Sequence, residues 1–128
     1  MPLARISHIS GKPDSYSKSL SKAVHSALMD AFQVPEDDYF QIVTEHARKD
    51  GIIGPQNFLG IKHTDELVFV QITCAEGRTL DQKKALYKAI SENAAKNAGV
   101  RQQDVVINLL ETSKENWSFG NGLAPFAA

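Results

Sequence analysis

Residues 11–45 read GKPDSYSKSLSKAVHSALMDAFQVPEDDYFQIVTE, and the same pattern recurs at residues 77–111 as GRTLDQKKALYKAISENAAKNAGVRQQDVVINLLE. The two segments align without a gap after a shift of 66 residues and are identical at eight positions. These positions are Gly11/Gly77, Lys18/Lys84, Leu20/Leu86, Lys22/Lys88, Ala23/Ala89, Val34/Val100, Asp38/Asp104 and Glu45/Glu111. Self-similarity over this length predicts that one structural unit occurs twice in the chain.

Each copy has the pattern strand, helix, strand. Runs rich in Ile, Val, Leu and Phe lie at residues 3–9 and 39–44 in the first copy and at 67–74 and 105–111 in the second. Between the runs of each copy, apolar residues recur at helical spacing. A crossover helix places its two flanking strands parallel in one sheet. The sequence therefore predicts an α+β fold, a tandem β-α-β repeat forming a four-stranded sheet with two helices on one face.

A single domain is expected over residues 1–128, with repeat halves at about 2–45 and 67–111. The segment between the halves contains turn signals and is expected to form a hairpin or a loop excursion. Near the end of the chain, Asn121-Gly122 is typical of a tight reversal. This dipeptide predicts a small C-terminal hairpin over residues 115–126.

The face of the sheet away from the helices is expected to be apolar. Period-two alternation cannot direct all of the apolar strand residues toward the helices, among them Phe69, Ile72, Val106 and Leu109. An apolar sheet face has to be buried against a partner. Self-association in a closed symmetric ring is therefore expected.

Composition and charge exclude several classes of protein. Lys and Arg number 14 against 15 Asp and Glu, and no element concentrates the basic residues, so neither a nucleic-acid nor a membrane partner is expected. No apolar run approaches the roughly 18 residues that would span a bilayer, and the start MPLARISHIS does not resemble a secretory signal, which favours a cytoplasmic location. Cys74 is the single cysteine, and the four histidines lack metal-ligand spacing, so no metal site is expected.

Pro2 is the first candidate for chemistry. Removal of Met1 before a small residue would leave the secondary amine of Pro2 as the N-terminus. A free α-amine titrates at about 7.7–8.0, and desolvation lowers this value, so it can act as a neutral base at physiological pH. Taken alone, a Met-Pro start is common and indicates nothing.

The chain resembles the tautomerase superfamily over nearly its whole length, and most closely its malonate semialdehyde decarboxylase-like branch. The resemblance rests on Pro2, on Val34-Pro35 to Asp38 with Gln41-Ile42-Val43 after it, on the Arg78 turn, and on Trp117-Ser118-Phe119-Gly120. It implies a double β-α-β fold assembled as a homotrimer, no cofactor, and a terminal proline that is the catalytic residue. A small carboxylate is the implied substrate.

The resemblance also implies roles for four further residues. Arg78, at a strand-to-helix turn where the helix N-terminus adds positive potential, would bind the substrate carboxylate. Asp38 would be a second catalytic residue that positions water, and Trp117 with Phe119 would form an apolar wall around the proline. Each has a simpler interpretation. Arg78 would be a solvated surface arginine, and Asp38 a turn residue matched by Asp104 in the other copy. Trp117 and Phe119 would be aromatic residues of the core or the subunit interface.

Glu76 departs from the pattern of the decarboxylase branch, which has two arginines at the second turn separated by one residue. A negative charge at this position argues against decarboxylation of malonate semialdehyde. The favoured function is therefore a Pro2-dependent tautomerase acting on a small 2-oxo acid or its enol. The alternatives are a decarboxylase or hydratase of a three-carbon acid, and a non-catalytic trimeric carboxylate-binding module in which a retained Met1 blocks the proline.

Overall fold

The computed structural model describes residues 1–127, and its helices and strands follow the order expected from the repeat. Two helices pack on one face of a four-stranded sheet, and a two-stranded hairpin lies in the connecting segment. The elements in chain order are β1 (Leu3–Ile9), α1 (Tyr16–Phe32), β2 (Phe40–His46), β3 (Asn57–Phe58), β4 (Ile61–Lys62), β5 (Val68–Ala75), α2 (Leu80–Ala98) and β6 (Val105–Thr112). Two short 3-10 turns cover Gln102–Asp104 and Lys114–Asn116.

The strand order β2-β1-β5-β6 confirms the tandem β-α-β fold. Strands β1 and β2 pair in parallel, as do β5 and β6, whereas the two halves join through antiparallel pairing of β1 with β5. Leu3, at the start of β1, is the partner of both Phe40 at the start of β2 and Thr73 near the end of β5. The N-terminus therefore lies where β2 begins and β5 ends.

Local sequence accounts for where the helices begin and end. Thr79 accepts a hydrogen bond from the Gln82 amide, and the Gln82 side chain accepts one from the Thr79 amide, a capping box at the start of α2. Gly99 adopts the left-handed conformation expected of a C-cap, with a φ of 69°. Helix α1 ends at Gln33, whose φ is 53°, two residues before Pro35.

The hydrophobic core fills the layer between the helices and the sheet. On α1, Leu20 and Leu28 are buried, and on α2, Leu86 and Ile90 are buried, as the helical spacing predicts. They pack with the strand residues that point toward the helices, among them Ala4, Ile6, Val68, Val70 and Ile72. Each large buried apolar side chain contributes roughly 1.5–3 kcal/mol relative to an exposed one, so this layer is the main source of stability.

The opposite face of the sheet is mixed in polarity, which corrects the expectation of an apolar face. Phe69 and Val106 lie on it, whereas Ile72 and Leu109 point toward the helices. Phe40, Ile42 and Leu110 add exposed apolar area, but Arg5, Gln71 and Asn108 form a polar row across three strands. The apolar surface that a partner could cover is therefore split by polar side chains.

The connecting segment forms a hairpin whose turn the sequence did not indicate. Strands β3 and β4 are joined by Leu59-Gly60, with φ values of 52° and 80°, whereas the turn signals of this segment, Asp50-Gly51 and Gly54-Pro55, both precede β3. Buried Asp104 holds this segment to the second repeat, because its carboxylate accepts hydrogen bonds from the Thr64 amide at 2.8 Å and the Thr64 hydroxyl at 2.5 Å.

The predicted C-terminal reversal is present, but the hairpin expected over residues 115–126 is not formed within the chain. Asn121 and Gly122 both adopt left-handed φ values, 57° and 66°, and the Leu123 amide donates to the Gly120 carbonyl at 3.3 Å. The flanking residues form no strand in the described range 1–127. Instead of pairing through their backbones, they bring Phe119 and Phe126 together, with ring centroids 5.8 Å apart.

We predict that Asp104→Ala destabilises the fold by about 2–4 kcal/mol, because it removes a buried carboxylate that accepts hydrogen bonds from the Thr64 amide and hydroxyl and pairs with Arg101. Urea denaturation provides the measurement. Asp30→Ala, at an exposed position on α1, is the control and is expected to change the free energy of unfolding by less than about 0.5 kcal/mol. Equal effects of the two substitutions would contradict the anchoring role of Asp104.

Candidate active site

The N-terminus is enclosed at the edge of the sheet where β1 and β2 begin. Pro2 is buried, and the ammonium of Met1 forms an ion pair with the Oδ2 of Asp38 at 2.8 Å. The parallel pairing that sets Leu3 beside Phe40 also sets the residues before β2 beside the terminus. Asp38 is thus placed at the terminal amine by the topology of the first repeat.

Asp38 lies on a loop that is tied to the rest of the first repeat. Its amide donates to the Pro35 carbonyl at 3.0 Å, which closes a turn, and the Nε2 of His25 donates to the Glu36 carbonyl at 2.8 Å. The Tyr39 ring packs on the His25 ring with centroids 4.9 Å apart. These contacts fix the loop from the side of α1, so the carboxylate is held in place independently of the N-terminus.

Four aromatic rings form a wall beside the terminal amine. Phe119 is central: its ring centroid lies 5.4 Å from that of Phe40 and 5.5 Å from that of Trp117, on which it stacks with an interplanar angle of 10°. Phe126 meets the ring of Phe119 edge on. The wall joins the start of β2 to the C-terminal segment, two regions distant in sequence.

Two cavities adjoin the wall, and Phe40 and Phe119 line both of them. The one at the terminus has a volume of about 180 Å³ and is lined by Met1, Asp37, Asp38, Phe40, Phe119 and Phe126. The other, about 340 Å³, is also lined by Leu3, Trp117 and Ser118. A larger cavity of about 670 Å³ opens in the connecting segment and shares no lining residue with the terminal cavity. Of these three cavities in residues 1–127, the terminal one combines the terminal amine, a carboxylate and the aromatic wall.

Arg78 lies at the same end of the sheet but does not line the terminal cavity. Its Nη1 donates to the Ala75 carbonyl at 2.9 Å, and its guanidinium carbon lies 4.9 Å from the centroid of the Phe32 ring. No ion pair involves Arg78 in the part of the chain that the structure describes. The guanidinium therefore keeps unused hydrogen-bond donors.

Cys74 is buried beneath this end of the sheet. Burial raises the pKa of its thiol, whereas the positive charges of Arg78 and of the N-terminus lower it. Leu3 pairs with Thr73, the residue before Cys74, so the terminus and the turn that carries Arg78 lie at the same end of β5. A buried thiol with a raised pKa is a poor nucleophile, which favours a structural role for Cys74.

Acidic residues flank the Arg78 turn. Glu76 is exposed, and its amide donates to the Thr112 carbonyl at 3.1 Å. Glu111 binds the turn itself: its carboxylate accepts a hydrogen bond from the Gly77 amide at 3.3 Å and pairs with Lys83 at 2.6 Å. The hydrogen bond and charge of Lys83 hold the pKa of Glu111 below its usual value. The turn therefore has a fixed backbone, and Glu76 and Glu111 place negative charge beside Arg78.

Residues 1–127 contain no group of three or more His, Cys, Asp or Glu side chains placed to hold a metal ion. Neither of their helices is long and apolar enough to cross a membrane.

Of the residues singled out in the sequence, Asp38 and Phe119 line one cavity together with Met1, and Trp117 stacks on Phe119. Pro2 is buried next to Met1 in the chain and does not itself line the cavity, and Arg78 lies outside it. Three aromatic residues of this region were not predicted. Phe40 could have been found from the parallel register of the first repeat, which sets it beside Leu3. Phe126 and Phe32 reach the site only through long-range packing that leaves no local pattern in the sequence.

This geometry agrees with comparisons to known proteins. Two family models, both described as tautomerase enzyme, match residues 38–120 and 2–58. The chain belongs to the tautomerase family. It is 38% identical over 124 residues to probable tautomerase YusQ of Bacillus subtilis (strain 168), with 97% of each chain covered, and 33% identical to probable tautomerase YrdN of the same strain, with 98% of this chain and 96% of YrdN covered.

Solved structures give the same result. FG41 malonate semialdehyde decarboxylase inhibited by 3-bromopropiolate superposes with a TM-score of 0.89 at 34% identity, covering 95% of this chain and 92% of the decarboxylase. A second malonate semialdehyde decarboxylase superposes with a TM-score of 0.87 at 31% identity, covering 97% of this chain and 95% of that decarboxylase. A fused 4-OT symmetric trimer gives 0.77 at 24% identity, covering 94% of both chains, and shares the fold. The expected superfamily and branch are confirmed.

Proposed function

We propose that this tautomerase-family chain uses the amine of Pro2 to move a proton between carbon and oxygen of a small 2-oxo acid or its enol. The observation that carries the proposal is the terminal ammonium paired with Asp38 beside an aromatic wall. Removal of Met1 would make the Pro2 nitrogen the terminal amine in this region. A secondary amine can then exchange protons with a substrate held in the cavity.

The reaction is an isomerisation that balances without a further reactant. In the direction of the ketone, the proton leaves the enol oxygen, the C2–O bond becomes a carbonyl, and the electron pair of the C2–C3 double bond takes a proton at C3. The neutral Pro2 nitrogen accepts the proton from oxygen and its protonated form delivers one to C3. The catalyst ends in its starting protonation state.

Arg78 is proposed to bind the substrate carboxylate and stabilise the negative charge that develops on the enolate. Asp38 is proposed to orient water or the second proton carrier, and Trp117 with Phe119 to keep bulk water out. Because Asp37, Asp38 and Glu76 are acidic and Arg78 is unpaired, the site favours a substrate with one carboxylate and an apolar remainder. Phenylenolpyruvate has one carboxylate and an apolar ring and is therefore a suitable assay substrate.

A decarboxylase or hydratase of a three-carbon acid is the second candidate. The similarity to two malonate semialdehyde decarboxylases favours it, as does the ion pair with Asp38, because this chemistry uses a protonated proline. Glu76 counts against it.

Replacement of the proline tests the proposed mechanism directly. Pro2→Ala is expected to lower kcat/KM for ketonisation of phenylenolpyruvate by about 100-fold, since general acid–base catalysis contributes about 10²–10⁴. Ultraviolet absorbance of the enol follows the reaction. Pro13→Ala, an exposed proline in the first β-α turn, is the matched control and should retain full activity. Full activity of Pro2→Ala would show that the proline is not the proton carrier.

Asp38→Asn separates the two candidate reactions. We expect this variant to keep tautomerase activity within about tenfold, because proton transfer by a neutral amine does not need the carboxylate, and to lose any decarboxylation or hydration of malonate semialdehyde. The measurement compares both rates in one preparation. A wild-type protein whose decarboxylation exceeds its tautomerisation, with both abolished in Asp38→Asn, would favour the second candidate.

We also propose that the chain assembles as a homotrimer, as the fused 4-OT relative does. Exposed Phe40, Ile42, Val106 and Leu110 on the open sheet face support self-association. Light scattering after size-exclusion chromatography is expected to give three times the 14.1 kDa mass of one chain. A mass of one chain at micromolar concentration would contradict the proposal.

A further inference from the structure

The internal repeat places a cation over an aromatic ring in both halves. The Lys12 Nζ lies 5.2 Å from the centroid of the Tyr16 ring, and the Arg78 guanidinium carbon lies 4.9 Å from that of Phe32. Lys12 and Arg78 occupy matching positions in the repeat. The rings do not match in sequence, since Tyr16 begins α1 and Phe32 ends it. One helix thus supports the cation of both β-α turns, from its two ends.

In the first half, the cation that lies over the aromatic ring already binds a carboxylate. Lys12 pairs with Glu66 at 2.5 Å, and the hydrogen bond from Lys12 holds the pKa of Glu66 below its usual value. Burial, with the nearby charges of Glu66 and Asp104, raises the pKa of Tyr16 to about 12, so its hydroxyl stays protonated. The first half therefore contains a cation with an aromatic ring and a bound carboxylate.

In the second half, the cation that lies over the aromatic ring has no carboxylate bound to it within residues 1–127. Arg78 takes part in no ion pair within residues 1–127, and its bond to the Ala75 carbonyl uses one of five N–H donors. The guanidinium carbon lies over the Phe32 ring, 4.9 Å from its centroid, and the N–H groups that do not bond to Ala75 have no partner among the ion pairs of residues 1–127. A planar edge with paired donors matches a carboxylate.

We propose that Phe32 is a positioning residue that holds the plane of Arg78 so that its donor edge receives the substrate carboxylate. The ring is suited to this because Phe32 is only 5% exposed and is the last residue of α1, fixed within the core. Glu111 holds the backbone of the turn through the Gly77 amide, and the Arg78 side chain is in contact with the Ala75 carbonyl and the Phe32 ring. This inference rests on the proposed role of Arg78 in binding the carboxylate.

The test compares an acid with its uncharged ester. Ketonisation is measured for phenylenolpyruvate and for its methyl ester, which lacks the negative charge. Phe32→Leu is expected to raise KM for the acid about threefold to tenfold with little change in kcat, and to leave the ester unaffected, so that the acid-to-ester ratio of kcat/KM falls. Phe32→Tyr retains an aromatic face and should keep the wild-type ratio.

Tyr16→Leu is the matched control, because it makes a comparable substitution under the cation of the other half. This variant is expected to destabilise the fold and to leave the acid-to-ester ratio of kcat/KM unchanged. It therefore separates a general loss of packing from loss of the contact between Arg78 and Phe32. Thermal unfolding is recorded for every variant. Phe32→Met fills more of the core than leucine and replaces Phe32→Leu if that variant does not fold.

Arg78→Ala separates failure of the positioning role of Phe32 from failure of the proposed carboxylate site. If Arg78→Ala lowers the acid-to-ester ratio and Phe32→Leu or Phe32→Met does not, the positioning role of Phe32 is wrong and the carboxylate role of Arg78 stands. If Arg78→Ala leaves the ratio unchanged, the proposed carboxylate site is itself wrong. A fall in the ratio for Arg78→Ala and for the non-aromatic Phe32 variants, restored by Phe32→Tyr, supports the inference.

Discussion

Antiparallel pairing of β1 with β5 is the contact on which the candidate site depends. Each β-α-β half could form its own two parallel strands, but only this pairing sets the beginning of β1 against the end of β5. It brings the N-terminus to the turn that carries Arg78, and it places Cys74 within the electrostatic influence of both. The shared helical layer then stabilises the pairing, because residues of both helices and of both central strands form one core.

The two halves use equivalent positions for different purposes. Asp38 has a side chain 22% exposed and meets the terminal amine, whereas the Asp104 side chain is 2% exposed and binds Thr64 of the connecting segment. A chain has one N-terminus, so only the strand that begins the first half can present a free amine. The second half has no terminus at the equivalent position, because the connecting segment leads into β5 there. Glu66, near the end of that segment, pairs with Lys12. Glu66 therefore occupies Lys12 in the first half, whereas Arg78, the equivalent cation of the second half, forms no ion pair within residues 1–127.

Sequence reasoning was most successful where the pattern is local or repeated. The strand at Leu3–Ile9, the parallel pairing within each half and the left-handed conformation of Gly99 all follow from periodicity, the alignment of the two copies and turn chemistry. The Asn121-Gly122 reversal was predicted for the same reason, but strands on either side of it were not formed. A turn dipeptide sets the direction of the backbone and does not supply partners for its amides.

Contacts between distant segments were beyond this reasoning. The packing of Phe126 on Phe119 and the contact of Arg78 with the Phe32 ring join residues that no short pattern relates. The polar row on the open sheet face depends on the register of three strands, which composition does not reveal. The sequence therefore identified candidate groups for the chemistry, whereas the structure was needed to find the side chains that orient and enclose them.

The central claim is that a free Pro2 amine is the reactive group of this protein. Its most direct test is the intact mass of the purified chain before and after incubation with 3-bromopropiolate, the inhibitor of the FG41 relative, followed by peptide mapping. The account predicts a chain that lacks Met1 and gains a single adduct on Pro2. A chain that retains Met1, or a trimmed chain that remains unmodified, would contradict it.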